Sequence, residues 1–133
     1  MDMTISFPGG VCVDAQYGDM VIKTDQPPHG GGDGSAPTPF ALFLASMGTC
    51  AGIYVVSFCR QRGIPTDDVH IHEHVDFDPD THLAQKVTLQ IDLPSDFPKK
   101  YRSALVKAAN LCAVKRHLET PPKFEVVARI GDE

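Results

Sequence analysis

The stretch from Phe40 to Cys59 carries no charged residue, and no other feature limits so strongly what this chain can fold into. Its length is about what a helix needs to cross a bilayer, but Ser46, Gly48, Thr49, Cys50, Gly52, Tyr54 and Ser57 dilute its hydrophobicity. A helix that is apolar all round is equally the signature of a fully buried central helix. The rest of the chain is amphipathic and needs something apolar to fold around. A soluble protein built on a buried helix is therefore the preferred reading, with a small membrane protein as the alternative. Thr38 is a natural N-cap with Pro39 at the first helical position. At the other end, Arg60 and Arg62 suit the carbonyl terminus, Gly63 can take the left-handed cap, and Ile64-Pro65 cannot continue the helix.

The flanking segments alternate with period two, which marks strands. Residues Ile5 to Lys23 read as short strands, with a turn at Gly18-Asp19. Asp25 to Pro39 is rich in Gly and Pro and reads as a flexible loop. From Val69 to Phe77, the side chains of Val69, Ile71, Val75 and Phe77 fall on one face, and those of His70, His72, His74 and Asp76 on the other. Glu73 is the single break on the apolar face. After a turn at Asp78-Pro79-Asp80, Val87, Leu89, Ile91 and Leu93 point inward, giving an antiparallel hairpin with one wet face. Ser95 or Asp96 can cap a second helix through Tyr101, Leu105, Val106 and Ala109. Cys112 opens a short helix from Ala113 to Glu119, stopped by Pro121-Pro122, and Lys123 to Ile130 reads as a last strand. The fold class expected is α+β with antiparallel pairing.

The 133 residues fit one domain, 1–133, with an ordinary balance of 42% hydrophobic and 22% charged residues. The formal net charge of -5 argues against nucleic acid. Lys115-Arg116-His117 is too short a basic run to track phosphates. Gly30-Gly31-Gly32 lacks the G-K-[ST] ending of a phosphate cradle and has Asp33 beside it. There is no secretory signal pattern, so a cytoplasmic, reducing setting is expected.

Four cysteines remain: Cys12, Cys50, Cys59 and Cys112. None forms a C-x-x-C or zinc-finger spacing. Cys50 and Cys59 lie nine residues apart, about 180° around one helix, and cannot pair with each other. Cys12 reads as core. Cys50 reads on position alone as a small buried hydrophobe. Cys112 stands at a helix start, where backbone N–H groups and the helix dipole favour a thiolate, and is the better chemical candidate from local physics. His70, His72 and His74 could chelate a metal from one strand face, but a solvated face is the preferred reading, and no metal or cofactor is expected.

Two segments together resemble the OsmC/Ohr family. The first is Pro37-Thr38-Pro39-Phe40-Ala41-Leu42-Phe43-Leu44-Ala45-Ser46-Met47-Gly48-Thr49-Cys50, a proline-led helix reaching a cysteine after small residues. The second is Cys112-Ala113-Val114-Lys115-Arg116-His117-Leu118, followed by Pro121-Pro122-Lys123-Phe124-Glu125. Their order and separation are similar to the two cysteine motifs of that family, and the resemblance covers essentially the whole chain. It implies an OsmC-like fold, with antiparallel sheets around a long central helix and an entwined homodimer. It further implies thiol-dependent reduction of organic hydroperoxides in oxidative stress defence, with Cys50 peroxidatic, Cys112 resolving and a dithiol reductant as partner. Phe40 stands where peroxidase members carry a glutamate, and no arginine precedes Arg60, whereas those members have one in the N-terminal strands. The resemblance is thus to the branch lacking that Glu/Arg pair. The alternative function is a non-enzymatic dimer of the same fold that binds a small apolar or thiol-reactive ligand.

Overall fold

A computed structural model describes residues 1–131. In chain order the elements are β1 (Thr4–Gly9), β2 (Cys12–Tyr17), β3 (Met20–Thr24), α1 (Pro39–Gln61), β4 (His70–Phe77), β5 (Ala84–Asp92), α2 (Arg102–Ala109) and α3 (Ala113–Glu119). Single 3-10 turns occupy Pro28–Gly30 and Lys99–Tyr101. The architecture is α+β with antiparallel sheets and one long helix, as the periodicity predicts. Two compact units divide the chain between Ser46 and Met47, and α1 runs through the boundary.

In the first unit, β1, β2 and β3 form an antiparallel meander in that order. Thr4 faces Gln16 across the first pair, and Tyr17 faces Met20 across the second. Gly10 and Gly18 adopt left-handed backbone at φ 55° and 56°, which is what these tight reversals require of a residue without a Cβ. The Gly/Pro-rich segment after β3 is the loop expected, with a single 3-10 turn at Pro28–Gly30. It folds around the carboxylate of Asp25, which is 1% exposed. That carboxylate accepts the backbone N–H groups of Gln26 (2.8 Å), Asp33 (3.2 Å) and Ser35 (3.0 Å), and the Ser35 hydroxyl at 2.7 Å. The Asp25 N–H in turn donates to the Pro37 carbonyl at 3.2 Å. A Cβ at Gly32 would collide with the Gln26 carbonyl, so the loop closes this tightly only with glycine there.

Both ends of α1 are sealed as its sequence predicts. The Thr38 hydroxyl accepts the Ala41 N–H at 3.1 Å, satisfying one of the four orphan donors at the helix start. At the far end Gly63 takes φ 65°, its N–H donates to the Arg60 carbonyl, and the Ile64 N–H donates to the Cys59 carbonyl. These two bonds make a Schellman cap. By length and composition α1 could cross a membrane. Met47, Ala51, Val55, Phe58 and Cys59 form its buried face.

The core of the second unit gathers Val55, Phe58 and Cys59 from α1 with Phe97 and Leu105. Ile71 and Ile91 of the hairpin, Tyr101 and Ala109 pack around them. Burial of Leu105, which has no exposed surface, is worth roughly 2 kcal/mol. The β4–β5 register places Ile71 opposite Ile91, Glu73 opposite Leu89 and Val75 opposite Val87. His70, His72 and His74 lie on the exposed face, as the alternation requires.

Two expectations fail. The second helix does not start at Ser95 or Asp96: a turn closes from the Phe97 N–H to the Pro94 carbonyl, Pro98 is extended, and α2 begins only at Arg102. Pro98 disfavours helical backbone at the residue before it, which cancels the capping potential upstream. The segment Lys123 to Ile130 is not a strand. Phe124, Val126, Val127 and Ile130 are 91%, 94%, 74% and 79% exposed. An alternating pattern supplies the faces of a strand, but not the neighbouring backbone that a ladder needs.

Candidate functional site: the two cysteine motifs

Cys50 lies near the middle of α1, between the buried Met47 and Ala51, and is half-buried. Its motif places it on the helix by the simplest route, eleven residues of continuous helix from the Pro39 start. Cys59 is on the opposite side of the same helix, inside the core with no exposed surface. Burial pushes the Cys59 thiol up, opposed by the charge of Arg62. That suits a packing residue rather than a nucleophile. The Cys12 thiol is also pushed up, by burial first and then by its contact with the Asp25 carboxylate.

Cys112 is the N-cap of α3 and is 3% exposed. With φ -58° and ψ 141° its backbone is extended, and its sulfur accepts the Lys115 N–H at 3.3 Å. Its carbonyl accepts the Arg116 N–H at 3.2 Å. The cysteine thus takes the place that serine, threonine or aspartate fills at most helix starts. Lys115 serves the sulfur through its backbone alone, since its ammonium turns to Asn110 Oδ1 at 3.0 Å and toward Glu119 at 3.9 Å. All four cysteines are free thiols.

Two of the three histidines on the hairpin surface meet a carboxylate. His72 Nε2 meets Asp92 Oδ2 at 3.0 Å and His74 Nε2 meets Asp76 Oδ1 at 3.2 Å. Among the described residues no group of three or more His, Cys, Asp or Glu side chains is arranged to hold a metal ion.

Two features near the motifs were not drawn from the sequence. The first is a cavity of about 190 Å³ in the second unit. Ala51, Ile71, Leu89, Ile91 and Leu105 line it with apolar surface, and Arg102 and Asn110 add polar groups. The second is Glu73. Its Oε1 is buried and has no hydrogen-bond partner among the described residues. Its Oε2 presses on the helix where a Cβ added at Gly48 would stand 2.6 Å away. The break that Glu73 makes in the apolar face was the available signal, and its position opposite Leu89 gives that break its meaning.

Comparison with known proteins covers the stretch of chain that holds both motifs. The family model described as OsmC-like protein matches residues 32–127. No curated protein matches the sequence. Among solved structures, one from Psychrobacter arcticus 273-4, described as an osmotic stress induced and detoxification response protein, superposes with a TM-score of 0.72 at 19% identity, covering 86% of this chain and 85% of that one. The organic hydroperoxide resistance protein OhrB of Bacillus subtilis superposes with a TM-score of 0.55 at 18% identity, covering 91% and 93%. An organic hydroperoxide resistance protein of Vibrio cholerae with captopril bound in one of its active sites gives 0.54 at 15% identity, covering 91% and 86%.

Proposed function

From its membership of the OsmC-like protein family, to which this chain belongs, we propose that it is a thiol-dependent organic hydroperoxide reductase acting in oxidative stress defence. Cys50 is the peroxidatic residue and Cys112 the resolving one. The observation that carries the reading is the seating of Cys112: a cysteine at the N-cap, with a backbone N–H directed at its sulfur, on the second of two family motifs.

The Cys50 thiolate attacks the outer oxygen of the hydroperoxide. An S–O bond forms, the O–O bond breaks, and the alkoxide leaves as the alcohol after taking a proton. The Cys112 thiolate then attacks the sulfenic sulfur. An S–S bond forms and hydroxide leaves, taking a proton to become water. A dithiol reductant restores both thiols by exchange and leaves as its own disulfide.

We read the working form as a cytoplasmic homodimer. What supports the dimer is the apolar segment 123–130, whose exposed Phe124 and Val126 need a second surface, together with the exposed Phe40, Phe43 and Ile53 of α1.

A second reading, a non-enzymatic dimer that binds a small apolar or thiol-reactive ligand, is favoured by one observation. Phe40, at the position where peroxidase members carry glutamate, has its ring 5.8 Å from that of Phe43 instead of presenting a carboxylate.

Stopped-flow consumption of cumene hydroperoxide by the reduced protein separates the two. A reductase reacts far faster than a free thiol, accumulates a Cys50–Cys112 disulfide by mass spectrometry, and loses turnover in both Cys50→Ser and Cys112→Ser. Wild type and Cys50→Ser reacting at one slow rate would end the reductase reading.

A further inference from the structure

Positive charge is spread unevenly along this chain. Between Phe97 and Leu118 stand six basic residues, Lys99, Lys100, Arg102, Lys107, Lys115 and Arg116, and no acidic one. All 17 acidic residues lie elsewhere, in a chain whose formal net charge is -5. Some of these cations have a contact within the fold. Lys115 Nζ donates to Asn110 Oδ1 at 3.0 Å, and Lys100 Nζ lies 4.9 Å from the Tyr101 ring centroid. Lys99, Arg102 and Lys107 differ: among the described residues their charged ends make no hydrogen bond or ion pair.

These three converge. Together with Ser103 and Val106 they line one open hollow of about 500 Å³ beside α2, and among the described residues no acidic side chain lines it. Lys99, Ser103 and Lys107 are spaced by four, with Arg102 and Val106 between, which puts all five on one side of the helix and of the turn leading into it. Lys99 and Arg102 also border an adjoining hollow that includes Asp92. Both oxygens of that carboxylate are taken, by Gln90 Nε2 at 2.7 Å and His72 Nε2 at 3.0 Å. Gathering like charges in one place is unfavourable. Lys99 and Arg102 moreover stand at the start of α2, where the helix dipole is itself positive. Tyr101 at the N-cap makes no side-chain bond and the first turn holds no acid, so the helix start offsets neither effect. An anion in the hollow offsets both.

We propose that Lys99, Arg102, Ser103 and Lys107 form a binding site for the phosphate group of a small phosphate monoester. Three cations match a group that carries close to two negative charges and three strong acceptor oxygens at neutral pH. The Arg102 guanidinium presents its N–H donors in a fork that suits phosphate, and the Ser103 hydroxyl adds a neutral donor. The hollow is larger than a phosphate alone, and Val106, 47% exposed, gives the esterified group an apolar contact. Neither Cys50 nor Cys112 lines the hollow, so the site stands or falls apart from the peroxide chemistry.

Isothermal titration of the full-length reduced protein with n-propyl phosphate, inorganic phosphate and acetate, at constant ionic strength, tests it. Both phosphates should bind saturably, the ester tighter than the free ion, and acetate weaker than either by about tenfold or more. Arg102→Gln and Lys107→Gln should each weaken the ester about tenfold. Lys100→Gln removes a neighbouring charge that does not line the hollow, and screening should keep its effect within about twofold. The amide signals of Ser103 and Val106 should move in the same titration and report the location. The proposal is overturned if the ester does not saturate, if it binds more weakly than inorganic phosphate, or if acetate binds as tightly. It is equally overturned if Lys100→Gln weakens the ester as much as Arg102→Gln, because binding would then follow the field of the whole basic segment.

Discussion

Asp25 and Glu73 are both carboxyl groups drawn away from water, and the chain treats them in opposite ways. Around Asp25, three backbone N–H groups and one hydroxyl converge within 3.2 Å. The Ser35 hydroxyl first, then the backbone N–H groups of Ser35 and Gln26, hold its carboxyl far below the usual carboxylate range. Glu73 has an oxygen with no donor at all among the described residues. The difference shows which group serves the fold. Asp25 organises a loop of glycines and prolines that has no helix or strand to hold it, so its bonds are spent on its own backbone. Glu73 sits opposite Leu89 on the inward face of the hairpin and gathers no such set of donors.

This contrast can be broken by substitution. The largest effect is expected at Asp25. Asp25→Ala leaves buried N–H groups without an acceptor and should lower Tm by roughly 10 °C in a thermal scan. An unchanged Tm would remove Asp25 from its structural role. Glu73→Leu should have the opposite sign, raising stability by about 1–2 kcal/mol in urea unfolding, because an uncompensated desolvation is relieved and apolar contact replaces it. If that variant is less stable than wild type, Glu73 has found a donor and the contrast fails.

Acid should expose the same asymmetry. A carboxyl whose folded pKa is depressed contributes stability that is complete above its unfolded value and is lost as pH falls toward the folded one. With an ordinary value of 3.8, Asp25 should give wild type a loss of stability below about pH 4 that Asp25→Asn lacks. Asp78, held down by the N–H groups of Thr81 and Asp80, adds a loss of the same direction that persists in both proteins.

The smallest effect tests the packing of Glu73 itself. Alanine is about 1 kcal/mol better than glycine in a helix interior. Gly48→Ala should not realise that gain in wild type, where the new Cβ would stand 2.6 Å from Glu73 Oε2. In a Glu73→Leu background, where no carboxylate occupies that place, a gain of up to about 1 kcal/mol is expected. The coupling is read from a double-mutant cycle.

How much of this could be read from residues alone depended on how local its causes are. Both ends of α1 were legible, because Thr38-Pro39 and Arg62-Gly63 close their hydrogen bonds within a few residues. The bounds of α3 were legible for the same reason, as was Cys112 as a helix start, while the hairpin faces showed through period-two alternation. The loop around Asp25 was not, since its bonds reach eight and ten residues ahead to Asp33 and Ser35, and nothing in the spacing selects Asp25 over Asp33 as their acceptor. The cap at Ser95 or Asp96 was misread because Pro98 acts against it from downstream. Residues 123–130 show the limit of periodicity, which can describe a strand without supplying the strand beside it. Family resemblance named Cys50 and Cys112, while Glu73 could be seen only as an irregularity until its neighbours across the hairpin and on the helix were known.

The seal on the far end of α1 goes beyond its backbone cap. The Arg62 guanidinium lies 3.6 Å over the Phe58 ring and 5.2 Å from that of Tyr101, and it donates to the Phe58 carbonyl at 3.0 Å. The opposite end has its aromatic rings, Phe40 and Phe43, 48% and 41% exposed. Both ends of the helix are capped, and the far one carries this cation–aromatic contact in addition. In hydrogen exchange the amides just after Leu42 should turn over well before those from Val55 to Cys59, which release only when the core itself lets go.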